Sequence, residues 1–315
     1  MNMFCYQCEQ TAKGVGCTAG GVCGKDHETA VLQDVLVHIM KGLGQEAHRL
    51  RKLGESDPEA NLFTVEAMFS TLTNVNFDAA RIEGLIRKAA ALRDKARATA
   101  AKKGATEALA GPAAFIPAGD RAGLLTQGAS IGIESRKQAL GDDVTGLQEL
   151  ITYGLKGVCA YADHAAILGQ KEESVFAFIH EALDFLAKPN PTIDELLGYA
   201  LKTGEVNLKV MELLDAANTG TYGHPEPTAV RITPKKGKAI LVSGHDLKDL
   251  EELLKQTEGK GINVYTHGEM LAANSYPGLK KYKHLAGNYG GAWQEQRKEF
   301  DEFPGAILMT TNCIQ

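Results

Sequence analysis

The chain has 315 residues, above the size at which one hydrophobic core stops growing, so two domains are expected. A formal charge of -5, with lysine and arginine scattered, gives no electrostatic reason to expect nucleic acid or an anionic membrane as partner. No apolar run reaches the roughly 18–20 residues that span a bilayer, and the first ten residues lack a charged segment followed by an apolar stretch, so the expected address is the cytoplasm.

Four of the six cysteines, Cys5, Cys8, Cys17 and Cys23, crowd the N-terminus, while Cys159 and Cys313 stand alone. A disulfide framework belongs to short secreted chains, and this chain is long and rich in helix formers. Four thiolates suit either a tetrahedral zinc ion or an iron–sulfur cubane. Zinc sites usually pair two Cys-x2-Cys knuckles, whereas here the second pair is five residues apart and eight residues separate the two pairs. Glycines at 14, 16, 20, 21 and 24 let the backbone fold closely round a cluster and aim amides at its sulfurs. The pattern favours iron–sulfur over zinc, and a helix starting near Asp26 would add a modest favourable field.

From about residue 28 to 222 the periodicity is helical. Val31, Val35, Leu36 and Ile39 repeat at helical spacing, as do Ile82, Leu85, Ile86 and Ala89. Two more helices are read from Val144 to Val158 and from Val175 to Leu186. Asp57-Pro58 is a helix start, and Thr192 with Glu195 three residues on fits a capping box. Gly119 to Gly132 is expected to be a surface connection, and the alanine-rich stretch Ala96 to Ala110 an exposed helix. Cys159 sits among apolar neighbours and is expected in the core.

Turn formers cluster from Gly220 to Pro227, which sets the expected domain boundary at 222/223. Beyond it, Ala239-Ile240-Leu241-Val242, Ile262-Asn263-Val264-Tyr265 and Ala306-Ile307-Leu308-Met309 read as buried strands. Helices from Asp246 to about Thr257 and from Gln294 to Phe303 alternate with them, which predicts a parallel sheet. The expected fold class is therefore multidomain, α and α/β: a helical bundle over 1–222, then the first part of a Rossmann-like parallel-sheet domain over 223–315. His245, Glu269 and Cys313 each follow one strand, at the carboxyl edge where open α/β sheets bind ligands, and so form a second candidate site.

Met3-Phe4-Cys5-Tyr6-Gln7-Cys8-Glu9-Gln10-Thr11-Ala12, continuing to Gly16-Cys17 and Val22-Cys23-Gly24-Lys25, resembles the N-terminus of the hybrid cluster proteins, also called prismane proteins or hydroxylamine reductases. The Cys-x2-Cys-x8-Cys-x5-Cys spacing is similar to that of the group from anaerobes. The resemblance continues through Val242-Ser243-Gly244-His245-Asp246-Leu247, Thr266-His267-Gly268-Glu269-Met270, Asn288-Tyr289-Gly290-Gly291-Ala292-Trp293-Gln294 and Thr310-Thr311-Asn312-Cys313.

The resemblance implies a [4Fe-4S] cubane on Cys5, Cys8, Cys17 and Cys23, and a hybrid [4Fe-2O-2S]-type cluster with His245, Glu269 and Cys313 among its ligands. It implies reduction of hydroxylamine to ammonia, or of nitric oxide, with electrons from an external donor. Family members continue beyond the length of this chain and there supply further cysteines, a second glutamate and a lysine. On that reading the hybrid cluster is incomplete here unless another polypeptide supplies the rest. A non-catalytic electron-transfer or scaffold subunit that needs a partner chain is the alternative, and a structural zinc protein is a third reading. His267, two residues before Glu269, is placed to support that site, and Trp293 reads as core or as a neighbour of the second cluster.

Overall fold

The computed structural model describes residues 3–8 and 10–311. They form two compact units, Met1–Asp163 with Lys171–Met211, and His164–Gln170 with Glu212–Gln315. No helix among the described residues is long and apolar enough to cross a membrane.

The first unit is helical. Its helices are α1 (His27–Lys52), α2 (Pro58–Ser70), α3 (Ala79–Lys102), α4 (Arg121–Ile131), α5 (Ile133–Leu140), α6 (Asp142–Ile167), α7 (Glu173–Phe185) and α8 (Ile193–Tyr222), the last turn of α6 and the end of α8 belonging to the second unit. Helix α1 lies at the centre, packed by α2, α3, α4 and α7. Leu32, Leu36, Ile39, Met40 and Leu43 of α1 meet Met68 of α2, Ile82 and Ile86 of α3, Ile151 and Leu155 of α6 and Ile179 of α7 in one core. Asp26 caps α1 by accepting from the Thr29 amide at 2.7 Å, and Asp57 caps α2 with Pro58 in its first turn. The capping box at α8 is complete: the Thr192 amide donates to Glu195 at 2.9 Å, and the Glu195 amide to the Thr192 hydroxyl at 3.2 Å.

Two expectations fail here. The segment Gly119 to Gly132 is not a surface connection but contains α4, capped by Asp120 through the Gly123 amide at 2.8 Å, with Leu124 in the core. Its glycines serve close packing: a Cβ on Gly128 would overlap Val31 of α1. The helix over Ala96 to Ala110 stops at Lys102, and Ala96 and Ala100 are buried against Leu50 rather than exposed.

The second unit carries a parallel sheet of β1 (Lys238–Ser243), β2 (Ile262–Thr266), β3 (Leu285–Asn288) and β4 (Ala306–Met309) in the order β3-β2-β1-β4. Its helices are α9 (Leu247–Thr257), α10 (Pro277–Lys280) and α11 (Gln296–Glu302). Leu250 and Leu254 of α9 pack with Val242 and Val264 on one face, while Phe303 packs with Leu241 and Tyr265 on the other. Strand residues alternate between two apolar layers, as a parallel sheet covered on both faces requires. The sequence pattern shows three strands, and the sheet has four among the described residues. The extra one, β3, is four residues long and ends in Gly287 and Asn288, so it carries no apolar run to betray it.

Candidate functional site

The segment that bears the four cysteines is built on an isolated antiparallel bridge. Cys5 donates its amide to the Cys17 carbonyl at 3.1 Å and accepts from the Cys17 amide at 2.8 Å. The Thr11 hydroxyl donates to the Cys5 carbonyl at 3.0 Å and lies 3.7 Å from Cys17 Sγ, toward which the Ala12 amide points at 3.4 Å. The Gly21 amide donates to the Lys25 carbonyl at 2.8 Å and closes the return.

Cys5, Cys8, Cys17 and Cys23 line one pocket, with Thr11 and Lys25 on its wall. All four are free thiols. Among the described residues, no three His, Cys, Asp or Glu side chains converge closely enough to hold a single metal ion, so the thiols share a pocket and not a point. Two glycines keep the segment tight: a Cβ on Gly21 would lie 3.0 Å from Cys23 Sγ, and one on Gly16 would lie 2.7 Å from the Phe4 ring. Burial alone would push the Cys17 thiol up, but hydrogen bonds from the Ala12 and Val22 amides and the Thr11 hydroxyl, with the Lys25 charge, outweigh it and hold Cys17 below the usual thiol range. At Cys8 burial prevails over a hydrogen bond from the Gln10 backbone and, with the neighbouring thiols, raises it. Four thiols on one pocket, glycines where a side chain would intrude and N–H groups aimed at sulfur fit a thiolate-ligated iron–sulfur cluster.

Beside that pocket lies a polar cavity lined by Cys5, Gln7, Lys25, Asp34, Glu149 and Lys156 among others. The Lys156 ammonium donates to the Thr71 carbonyl at 3.1 Å and to Gln7 Oε1 at 3.3 Å, and burial pulls it down to about 8. Lys25 donates to Gln33 Oε1 at 2.6 Å. Burial, aided by the Glu149 charge, pushes Asp34 up to about 6, whereas the Arg136 ion pair and Lys41 hold the buried Glu149 below the usual carboxylate range. The cysteine spacing gives no hint of Glu149 and Lys156, because they come from α6, more than a hundred residues further along the chain.

In the second unit, β1 is flanked by β2 and β4, with Val242 opposite Thr266 and Ser243 opposite Met309. Loops leave the carboxyl ends of these three adjacent strands where the chain switches from one side of β1 to the other. The ladder continues past the strand ends, since His267 donates its amide to Val242 and Thr310 to Ser243, each at 2.9 Å. His245 and Glu269 are brought together, Nε2 of the one hydrogen-bonded to Oε2 of the other, and His245 Nδ1 lies 3.4 Å from the Thr311 carbonyl. Gly244, at φ +121°, permits that approach, because a Cβ there would overlap Thr310 and Thr311. Cys313 lies outside the described residues.

Behind these two residues is a buried layer that sequence reading glimpsed only at His267. Its Nε2 lies 2.7 Å from Glu299 Oε2 and its Nδ1 3.4 Å from the Ser243 hydroxyl, to which Gln296 also donates at 3.3 Å. Glu299 Oε1 accepts from the Gly291 amide at 2.9 Å. His164 approaches Asp246, the cap of α9, at 3.8 Å. Cys159 is fully buried in the helical core, and burial raises its thiol strongly.

A sequence model of the Prismane/CO dehydrogenase family matches residues 3–315. Three similar proteins, each called hydroxylamine reductase, come from Syntrophobacter fumaroxidans, Rhodospirillum rubrum and Methanocella arvoryzae. They are 59%, 57% and 55% identical to this chain, and each alignment covers 99% of it and 58% of the relative. The chain thus spans a little over half the length of the curated relatives it matches. Among solved structures, carbon monoxide dehydrogenase IV from Carboxydothermus hydrogenoformans aligns with a TM-score of 0.33 at 14% identity, over 99% of this chain and 46% of that one.

Proposed function

The chain belongs to the Prismane/CO dehydrogenase family, and from that premise we propose that it holds a [4Fe-4S] cubane on Cys5, Cys8, Cys17 and Cys23 and works within an iron–sulfur oxidoreductase of the hydroxylamine reductase type. The observation that carries this reading is the single pocket lined by all four thiols, with N–H groups directed at Cys17 Sγ. His245 and Glu269, together with Cys313, would be ligands of a second, hybrid cluster. When bound, the clusters supply electrons from an external donor and, at the second site, open iron coordination for the N–O group of hydroxylamine or for nitric oxide.

This chain's own residues hold and tune. The Ala12 amide and the Thr11 hydroxyl fix the Cys17 sulfur, and the bridge between Cys5 and Cys17 sets the separation of their side chains. His267, Glu299 and Ser243 hold the loops that present His245 and Glu269. His245 and Glu269 act as ligands in this reading and not as general acids, and no residue is assigned as proton donor. Iron bound at the second site would need ligands besides His245, Glu269 and Cys313. A second reading is an electron-transfer portion without turnover of its own, which needs only the four-thiol pocket.

The test is iron and acid-labile sulfide analysis with an anaerobic visible spectrum, on the 315-residue chain and on its Cys8→Ser variant. About four irons per chain, with broad absorption lost in the variant, support the cubane. Roughly twice as much iron means that the second site is also filled. Zinc without sulfide overturns the reading. Hydroxylamine turnover by the isolated chain overturns the electron-transfer alternative.

A further inference from the structure

Two lysines in the first unit are buried beside the cysteine pocket, Lys25 at 3% exposure and Lys156 at 4%. Each ammonium ends on neutral acceptors: Lys25 on Gln33 Oε1, Lys156 on Gln7 Oε1 and the Thr71 carbonyl. Among the described residues neither forms an ion pair. Two carboxylates, Asp34 and Glu149, line the same cavity as these lysines, and Glu149 is taken by Arg136 at Nη2. Lys156 also lies 5.5 Å from the centre of the Tyr153 ring, a weak acceptor for a full charge.

Around that cavity four cations, Lys25, Lys41, Lys156 and Arg136, face these two carboxylates, and such an excess of positive charge removed from water is costly, so native proteins keep it only where something compensates it. Lys25 lines the pocket of the four thiols, and Lys156 lines the adjoining cavity that reaches Cys5. Four thiolates around a cubane leave a net negative charge in both of its working oxidation states, larger in the reduced one. Resting on the cubane reading above, we propose that Lys25 and Lys156 are the counter-charge of that cluster and raise its reduction potential by favouring the more negative, reduced state.

The arrangement ranks the two. Lys25 sits on the wall of the pocket itself, whereas Lys156 acts from the next cavity, so Lys25 has the larger effect at the short range of a low-dielectric interior. Both also tie the cysteine segment to the bundle, Lys25 to α1 through Gln33, and Lys156 on α6 to Gln7. A merely structural role would leave the potential of whatever cluster remains unchanged.

The experiment is an anaerobic redox titration of the purified chain, followed by electron paramagnetic resonance, for wild type, Lys25→Met, Lys156→Met and the charge-keeping Lys25→Arg and Lys156→Arg. The expected result is a midpoint moved to more negative values in both methionine variants, by at least a tenfold change in the reduction equilibrium, about 59 mV for one electron, in Lys25→Met. A smaller shift is expected in Lys156→Met, and recovery in the arginine variants. Methionine variants that keep the cluster at the wild-type potential overturn the proposal. Should the methionine variants fail to retain iron, retention in the arginine variants supports it, and loss in both overturns it. A wild-type chain that carries no iron and sulfide would overturn the cubane reading itself, which the unshifted potential of a loaded variant would not.

Discussion

Arg51 donates its Nε–H to Nδ1 of His180 at 3.2 Å, which fixes the ring of a fully buried histidine as the neutral tautomer. A guanidinium can only donate, so Nδ1 must accept and Nε2 carries the proton, 3.0 Å from the Thr64 hydroxyl. That hydroxyl in turn donates to the Ala60 carbonyl at 2.7 Å. Burial, then the Arg51 and His48 charges, pull His180 down to about 3. In the unfolded chain histidine titrates near 6.5, so between about 6.5 and 3 the unfolded state binds the extra proton. The stabilisation is complete above about 6.5 and is lost as pH falls toward 3. Chemical denaturation at pH 5 should show His180→Gln losing less stability relative to pH 8 than wild type, by on the order of 2 kcal/mol. Equal pH slopes would show that His180 accepts a proton in the fold.

Gly128 and Val31 predict a packing effect. A methyl on Gly128 would occupy the space of Val31 Cγ1 and approach Val35 Cγ2 to 3.2 Å. Gly128→Ala should destabilise by roughly 1–3 kcal/mol through overpacking, although alanine is the better helix former by about 1 kcal/mol. Adding Val31→Ala should return part of the loss, since it vacates the overlapped volume. A urea midpoint that rises in Gly128→Ala alone would mean that α4 and α1 stand further apart than described.

The same pair shows where the sequence was legible and where it was not. Helix α1 was readable because Val31, Val35, Leu36 and Ile39 must face one core, and Asp57-Pro58 and Thr192 with Glu195 announce caps by local chemistry alone. Helix α4 was hidden because its glycines, which read as loop formers, are there for contact with a helix about ninety residues earlier. Strand β3 is too short to carry a pattern. At the candidate sites, the cysteines and the strand-end residues were visible by spacing and resemblance. Lys25 with Gln33, Lys156 with Gln7, and His267 with Glu299 were not, because buried polar pairs are made by tertiary contacts that no local periodicity encodes.

The pair behind the strand-end residues predicts a second loss. His267 has no exposed side-chain surface and depends on Glu299 at one nitrogen and Ser243 at the other. Glu299→Ala would leave a buried ring nitrogen and the Gly291 amide without their acceptor, at a cost of roughly 1–3 kcal/mol. Glu299→Gln keeps one acceptor and should fall between. Thermal unfolding followed by far-ultraviolet circular dichroism measures both. A stable Glu299→Ala chain would show that water replaces the carboxylate and that the loop does not need it.

Glu46 on α1 gives the last prediction. Its side chain is fully buried and bridges two arginines: Arg97 of α3 through Nε at 2.8 Å, and Arg49 one turn along α1. Each arginine also serves a backbone carbonyl, Arg97 that of Ala113 and Arg49 that of Glu107 at 2.6 Å. Removing the carboxylate alone strands Arg49 in a site built round it, while Arg97 keeps Asp94 at 3.3 Å, and breaking a buried pair costs about 3–5 kcal/mol where both partners are dry. Arg97 keeps 39% of its side chain in solvent, so Glu46→Ala should cost at or below the lower end of that range. Replacing all three charges, as Glu46→Leu with Arg49→Met and Arg97→Met, removes the desolvation cost together with the attraction. Urea unfolding should therefore find the triple variant more stable than Glu46→Ala. A triple variant weaker than the single one would show that the arginines hold the 107–113 segment through their carbonyl contacts more than through the ion pair.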